Sequence, residues 1–421
     1  MTLNRRSFLG ASLAAGAALS APRAIGQARP RVVIVGGGAG GATAARYIAK
    51  DSQGAIDVTL IEPTRTYYTC FFSNLYLGGF RDFASIGHSY GALASGYGIN
   101  VLHDWVIGVD RDARTVTTAA GHTLPYDRLI VSPGIDFVEG SVPGWDISAQ
   151  NRMPHSWKAG SQTQLLKAQI EAMPEGGVFA MVAPPDPFRC PPGPYERVSM
   201  VAHVLKATNP TAKILILDPK ASFSKQALFE EGWQRHYAGM VDRIGPDFGG
   251  ANVSVNPEAM EVDIDGTVEK VDVCNVIPAQ KAGRIAEIAG LTDDSGFCPI
   301  VPATMQSRMD ETVFVLGDAT IAGDMPKSGF SANSHAKVAA MQVRAALTGS
   351  TAFPAKYSNT CWSLIDTDDG VKVGASYAPT DEKIAKVDGF VSQTGEDAAL
   401  RKATYEESVG WYAGITADMF G

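Results

Sequence analysis

Apolar residues fall along this chain in short runs closed by glycine, proline or an acid, with helically spaced stretches between them. The first run, Arg31-Val-Val-Ile-Val35, passes at once into Gly36-Gly37-Gly38-Ala39-Gly40-Gly41. It predicts a buried strand ending in a glycine turn. Ala42 to Lys50 then reads as a helix, and Ile56-Asp-Val-Thr-Leu-Ile61 as the next strand, ending at Glu62. Further strand runs are Leu129-Ile-Val131, Val178-Phe-Ala-Met-Val182, Ile214-Leu-Ile-Leu217 and Thr312-Val-Phe-Val-Leu316. Near the C-terminus Val371-Lys-Val-Gly-Ala-Ser-Tyr377 alternates like a half-exposed strand, and Asp397 to Glu407 reads as a helix before an aromatic pair, Trp411-Tyr412. Short buried strands alternating with helices predict an α/β fold.

The N-terminal order of strand, glycine turn, helix, strand and acid is what a dinucleotide site requires. Gly36 permits the tight turn, Gly38 lets backbone approach a pyrophosphate, and Gly41 lets helix and strand pack closely. The helix N-terminus stabilises phosphate charge. Glu62 is placed to bind a ribose hydroxyl, and its charge would repel a 2′-phosphate.

Two further marks, Leu129-Ile-Val-Ser-Pro-Gly134 and Thr312-Val-Phe-Val-Leu-Gly-Asp318, combine with this turn into a pattern that resembles the glutathione-reductase-like FAD flavoproteins. That resemblance implies two Rossmann-like domains and a C-terminal α+β interface domain. It also implies that Gly317 and Asp318 hold the flavin's ribityl chain, with Ala319-Thr320 beside its ring. The expected division is an FAD domain from residues 30–145 and 265–345, an NAD-domain-like insert over 146–264, and an interface domain over 346–421.

In the insert the second glycine turn is missing. The strand ending at Val182 runs into Ala183-Pro-Pro-Asp-Pro-Phe-Arg-Cys-Pro-Pro-Gly-Pro194, whose prolines lack the N–H groups that cradle a pyrophosphate. The second Rossmann-like unit is therefore expected to lack a working NAD site, and electrons must enter from something else.

Composition changes this picture at three points. A formal charge of −8 argues against nucleic acid as a partner. Asn4-Arg5-Arg6-Ser7-Phe8-Leu9-Gly10 is a twin-arginine pattern followed by a short apolar stretch, so residues 1–28 are expected to be a signal for export of folded, cofactor-loaded protein to the periplasm. Removing Arg5, Arg6 and Arg23 with it takes the charge from −8 to −11. No later apolar run is long enough to predict a transmembrane span.

The 5 cysteines are far apart, without the close pairs of a structural zinc site, and no metal site is expected. No Cys-x-x-Cys-His occurs, so the chain itself carries no covalent c-type haem. Cys70 follows soon after Glu62, where a thiol could bond to a flavin, join a redox disulfide or simply pack. Cys190 and Cys361 each sit in an unusual loop, but spacing does not choose a pairing. Cys274 and Cys298 read as structural.

Tyr68-Thr69-Cys70 with Ser73-Asn74, the loop Cys190-Pro-Pro-Gly-Pro-Tyr-Glu196, the stretch Gly317 to Asn333 and the ending Gly410-Trp-Tyr412 together resemble the flavoprotein subunit of flavocytochrome c sulfide dehydrogenase, over essentially the whole mature chain. The resemblance implies FAD held covalently by Cys70 through an 8α-thioether, and a redox disulfide between Cys190 and Cys361. It implies Glu196 as the nearby acid/base, Trp411 packed at the active site and Lys327 beside the flavin. Hydrosulfide would open the disulfide by thiol–disulfide exchange, the flavin would accept the electron pair, and a separate c-type cytochrome subunit would carry the haem. Two alternatives remain at this stage. One is a sulfide:quinone oxidoreductase, which would need a membrane-docking segment that the tail does not offer. The other is a partner that keeps a periplasmic sulfur-oxidising complex in its active redox state.

Overall fold

The computed structural model describes residues 28–421; residues 1–27, which hold the Arg5-Arg6 pattern, lie outside the described residues. Strand β1 (Arg31–Val35) is buried at four of its five positions because helices cover both faces of a parallel sheet. Helix α1 (Ala39–Ser52), strand β2 (Asp57–Ile61), strand β3 (Asn100–Leu102) and strand β4 (Arg128–Val131) follow. The pairings of β1 with β2 and β4, and of β2 with β3, are all parallel.

The chain then leaves this sheet and builds a second one. Strands β5 (Val178–Val182), β6 (Lys213–Leu217), β7 (Val241–Ile244) and β8 (Val273–Val276) run parallel in the order β7-β6-β5-β8, with helix α2 (Gly193–Thr208) between β5 and β6 and helix α3 (Gln226–His236) between β6 and β7. This corrects the expected boundary. Residues 265–276 belong to the insert, because Phe179 to Val182 pair in register with Val273 to Val276. The apolar run around Cys274 is a core strand of the second sheet and not the re-entry into the first.

Strands β9 (Gln306–Ser307) and β10 (Asp310–Val315) return to the first sheet, giving the order β9-β10-β4-β1-β2-β3. Helix α4 (Gly329–Thr348) lies against α1, where alanines at positions 42, 45, 332, 336 and 339 let the two backbones approach. Asn333 Nδ2 donates to Thr43 Oγ1 at 3.0 Å across this buried seam. Ser328 starts α4 by accepting a hydrogen bond from the Ser331 N–H.

An antiparallel sheet of β11 (Tyr357–Leu364), β12 (Gly370–Pro379) and β13 (Ile384–Val391) follows, then helix α5 (Ala398–Phe420), begun by Asp397 accepting from the Leu400 N–H at 2.8 Å. The helix expected to stop at Glu407 continues to Phe420. Trp411 and Tyr412 therefore lie inside it rather than beyond it, and they pack on Phe71 and Phe72 of the first domain. No helix among the described residues is long and apolar enough to cross a membrane.

Candidate active site

The glycine turn meets the stereochemistry the sequence implied. Gly36 has φ +96°, and a Cβ there would sit 2.2 Å from the Ser132 carbonyl oxygen. At Gly41 a Cβ would lie 1.8 Å from the Gly36 carbonyl, so closure of the turn itself demands glycine. A Cβ at Gly38 would first meet the Tyr67 ring, at an ordinary contact distance of 3.4 Å. Glu62 accepts from the Gly37 N–H at 2.9 Å and from the Thr64 N–H and hydroxyl at 2.9 and 2.7 Å, which fixes the acid at the mouth of the turn.

At the other end of this domain Gly317, at φ +70°, delivers Asp318 into the protein interior. Asp318 Oδ1 is buried with no hydrogen-bond partner among the described residues, and Oδ2 is 3.8 Å from Arg189. Burial raises the Asp318 carboxyl, with Arg189 and Lys327 pulling it back. Such an orphaned acceptor aimed away from protein donors suits a ligand hydroxyl. Together with the open turn, it makes the residues present fit an FAD. Lys327 Nζ donates to the carbonyls of Asp318 and Thr320 at 2.9 and 2.7 Å and lies 3.8 Å from the Phe297 ring centroid; burial lowers it to about 8.

Cys70, Cys190, Cys361, Glu196 and Trp411, drawn from three parts of the chain, line one cavity. Cys70 opens the turn Cys70–Phe72, which Ser73 Oγ locks by donating to the Cys70 carbonyl at 2.7 Å. Cys190 has φ +59°. Its N–H donates to the Lys327 carbonyl at 2.7 Å, and its own carbonyl accepts from the Gly193 N–H at 2.8 Å. Cys361 sits in β11 opposite Val373. Burial raises all three thiols; the Arg189 charge offsets this at Cys70, and the Asn359 side chain and Lys225 offset it at Cys361. All five cysteines are free thiols in the structure. Cys274 and Cys298 are fully buried away from the cavity, where burial pushes each up to about 12.

Glu196, in the first turn of α2, is 6% exposed. Its Oε2 accepts from Asn74 Nδ2 at 2.8 Å and its Oε1 from the Leu364 N–H at 3.0 Å. Desolvation outweighs these bonds and raises the carboxyl above its ordinary range. Trp411 packs against Trp362 at 5.1 Å, Phe71 at 5.5 Å and Phe330 at 6.0 Å, forming an apolar wall.

Three cations that sequence reasoning missed complete the site. Arg189 faces Cys70, Asp318 and Cys190 and donates to the Trp157 carbonyl. Arg197, 1% exposed, is spread over Asn74, Asn275 and the carbonyls of His155 and Ser156, and burial lowers it to about 9. Lys225, the residue before α3, stands behind the cavity wall with its Nζ on the Cys361 carbonyl. Arg189 and Arg197 flank motif residues and could have been suspected; Lys225 has no local signal.

In the insert's loop the backbone donors nearest the helix start are already occupied. The N–H groups of Arg189, Cys190 and Gly193 are taken by Gln280 Oε1 and the carbonyls of Lys327 and Cys190. At the end of β6, Asp218 stands where a Rossmann unit keeps its ribose-binding acid. It is 0% exposed and bound by Lys220 at 2.7 Å, Arg243 at 2.9 Å and Tyr195 Oη at 2.7 Å. The protein's own side chains fill the second dinucleotide position.

Two dinucleotide-type sheets, one with an open glycine turn and one plugged, above a cysteine-lined cavity, define a flavin-dependent oxidoreductase of the pyridine-nucleotide–disulfide class. Residues 30–167 match the family model for pyridine nucleotide-disulphide oxidoreductases. Residues 163–278 match that for the central part of the sulfide dehydrogenase [flavocytochrome c] flavoprotein chain, and residues 354–420 that for the flavin-binding part of flavocytochrome c sulphide dehydrogenase. A stretch of 44 residues is 54% identical to the sulfide dehydrogenase [flavocytochrome c] flavoprotein chain of Chlorobaculum thiosulfatiphilum, 10% of this chain and 90% of that sequence. The chain belongs to the flavocytochrome c sulfide dehydrogenase flavoprotein family. It is also 33% identical over 112 residues to the sulfide-quinone reductase of Aquifex aeolicus, a match that covers 26% of this chain and only 25% of that relative's length. The solved structure of the Aquifex aeolicus sulfide:quinone oxidoreductase superposes with a TM-score of 0.71 over 92% of each chain at 18% identity, a likeness of fold.

Proposed function

We propose that this protein oxidises sulfide to sulfur or polysulfide through a Cys190–Cys361 redox disulfide and an FAD bound covalently to Cys70, and that it passes the electrons to a c-type cytochrome subunit. The observation that carries this is the convergence of Cys190 from the loop before α2 and Cys361 from β11 on one cavity, with Glu196 beside them and buried cations in its walls.

The steps on this chain's own residues follow from thiol–disulfide exchange. Arg189 and Arg197, both in the cavity's lining, attract hydrosulfide, a small anion. The anion attacks one sulfur of the disulfide, forming a persulfide on one cysteine and leaving a thiolate on the other. Glu196, with its raised affinity for protons, takes the proton lost as sulfur is oxidised. In net terms each hydrosulfide loses one proton and two electrons. Bound FAD would supply a two-electron acceptor able to release electrons singly, held by Gly36, Gly38, Gly41, Glu62, Gly317 and Asp318. The wall of Trp411, Trp362 and Phe330 excludes water from the reacting sulfurs.

The Arg5-Arg6 pattern supports export by the twin-arginine route and work in the periplasm. The absence of a Cys-x-x-Cys-His in this chain supports haem on a separate subunit. A quinone acceptor is the second reading, favoured by the shared fold of the Aquifex oxidoreductase. The test is an anaerobic sulfide titration of the purified holoprotein, followed by oxidised cytochrome c or a soluble quinone. Sulfide bleaching of the flavin with reoxidation by cytochrome c is the expected result. No bleaching overturns the proposal, and reoxidation by quinone alone overturns the acceptor. Bleaching without steady turnover would point to redox maintenance of another sulfur enzyme.

A further inference from the structure

A buried lysine stands behind the strand that carries Cys361. Lys225 is 8% exposed and precedes α3 in a left-handed conformation, φ +64° and ψ 26°, which disfavours any residue but glycine. Its Nζ crosses to the C-terminal domain, donating to the Cys361 carbonyl at 3.1 Å, Ser363 Oγ at 2.8 Å and the Val371 carbonyl at 3.4 Å. All three partners are neutral, and no carboxylate forms an ion pair with this ammonium among the described residues. Burying a cation without a counter-charge is costly, and buried charges are ordinarily paired. Burial lowers Lys225 to about 8, and the opposing pull comes from Cys361 first, then Glu196 and Cys190. Asn359 Nδ2 lies 3.5 Å from Cys361 Sγ itself, while the Glu196 charge opposes a thiolate there.

We propose that Lys225 is the counter-cation of the Cys361 sulfur, a positioning residue that collects negative charge there when the bond between Cys190 and Cys361 is broken. The inference rests on the sulfide reading above and adds a direction to it. Thiol–disulfide exchange favours the leaving sulfur whose thiolate is better stabilised. Hydrosulfide then attacks Cys190 Sγ; a new S–S bond forms on Cys190, and the Cys190–Cys361 bond breaks with both its electrons going to Cys361. Persulfide sits on Cys190 and the single negative charge moves from hydrosulfide to Cys361, facing Lys225. The disulfide itself is the oxidant in this step.

The test reads the thiols without turnover. FAD-loaded protein is reduced, and iodoacetamide alkylation of Cys361 and Cys190 is followed separately by peptide mass spectrometry as a function of pH. In Lys225→Met the Cys361 profile moves to higher pH, because loss of a cation disfavours the thiolate, and its alkylation near neutral pH slows about tenfold. Cys190 moves less, and Lys225→Arg restores the wild-type profile. An unmoved Cys361 profile, or equal shifts at both cysteines, overturns the inference. Lys225→Gln, which keeps a donor for Ser363, gives the same readout if Lys225→Met fails to retain its flavin. Failure of sulfide to bleach the wild-type flavin, with the alkylation shift present, overturns the sulfide reading alone.

Discussion

The backbone N–H of Leu364 donates to Glu196 Oε1 at 3.0 Å, so the strand carrying Cys361 is tied to the first turn of the helix that follows Cys190. The other carboxylate oxygen accepts from Asn74, four residues beyond Cys70. One buried acid thereby joins the three segments that bring the cysteines together.

Replacing Glu196 with Gln is expected to slow sulfide-dependent flavin reduction by roughly 10²-fold or more, the usual worth of a positioned acid/base. Burial raises the Glu196 carboxyl, so its ionised form fills only as pH climbs above the ordinary carboxylate range. The wild-type rate at constant hydrosulfide should fall as pH drops through that raised value. Stopped-flow bleaching across pH should show this acid limb vanish in Glu196→Gln.

Cys190→Ser and Cys361→Ser should each abolish sulfide-dependent bleaching while leaving flavin content unchanged, since neither thiol is on the glycine turn or beside Asp318. Flavin absorbance of the purified variants, before and after anaerobic sulfide, checks both halves. Loss of flavin along with bleaching would place these thiols in cofactor binding instead.

Mass spectrometry of the denatured wild-type protein should find FAD retained on the peptide containing Cys70. Cys70→Ala should release its flavin on denaturation yet still bind it in the native state, because Gly36, Glu62 and Asp318 are untouched.

NADH should not bleach the flavin at any concentration that leaves the protein native. Asp218 is saturated by Lys220, Arg243 and Tyr195, and the N–H groups of Arg189, Cys190 and Gly193 are spent. Anaerobic mixing with NADH, with sulfide as the positive control, tests this. Prolines in residues 184–194 foretold a lost site, but the plug at Asp218 was not legible, because it needs β6, β7 and α2 to meet in space.

Several elements could be read from spacing because their causes are local. The turn at Gly36 to Gly41 follows from strand, helix and the room a Cβ would need. Cys190 and Glu196 fell close together because they flank one helix start. The insert's true end at Val276 could not be read so, since a buried strand looks alike in either sheet and only its pairing with Val178–Val182 decides ownership.

By itself, then, the sequence determined the α/β class, the open first turn, the disabled second one and the cysteines worth watching. Each is written in neighbouring residues through backbone stereochemistry and hydrophobic period. Only the tertiary structure decided that Cys361 comes from β11 into the cavity of Cys190, and that Lys225 stands behind it with no ion-pair partner among the described residues. The physical reason is that desolvation and Coulomb forces act through space. A lysine's meaning depends on what is buried with it and not on what precedes it in the chain.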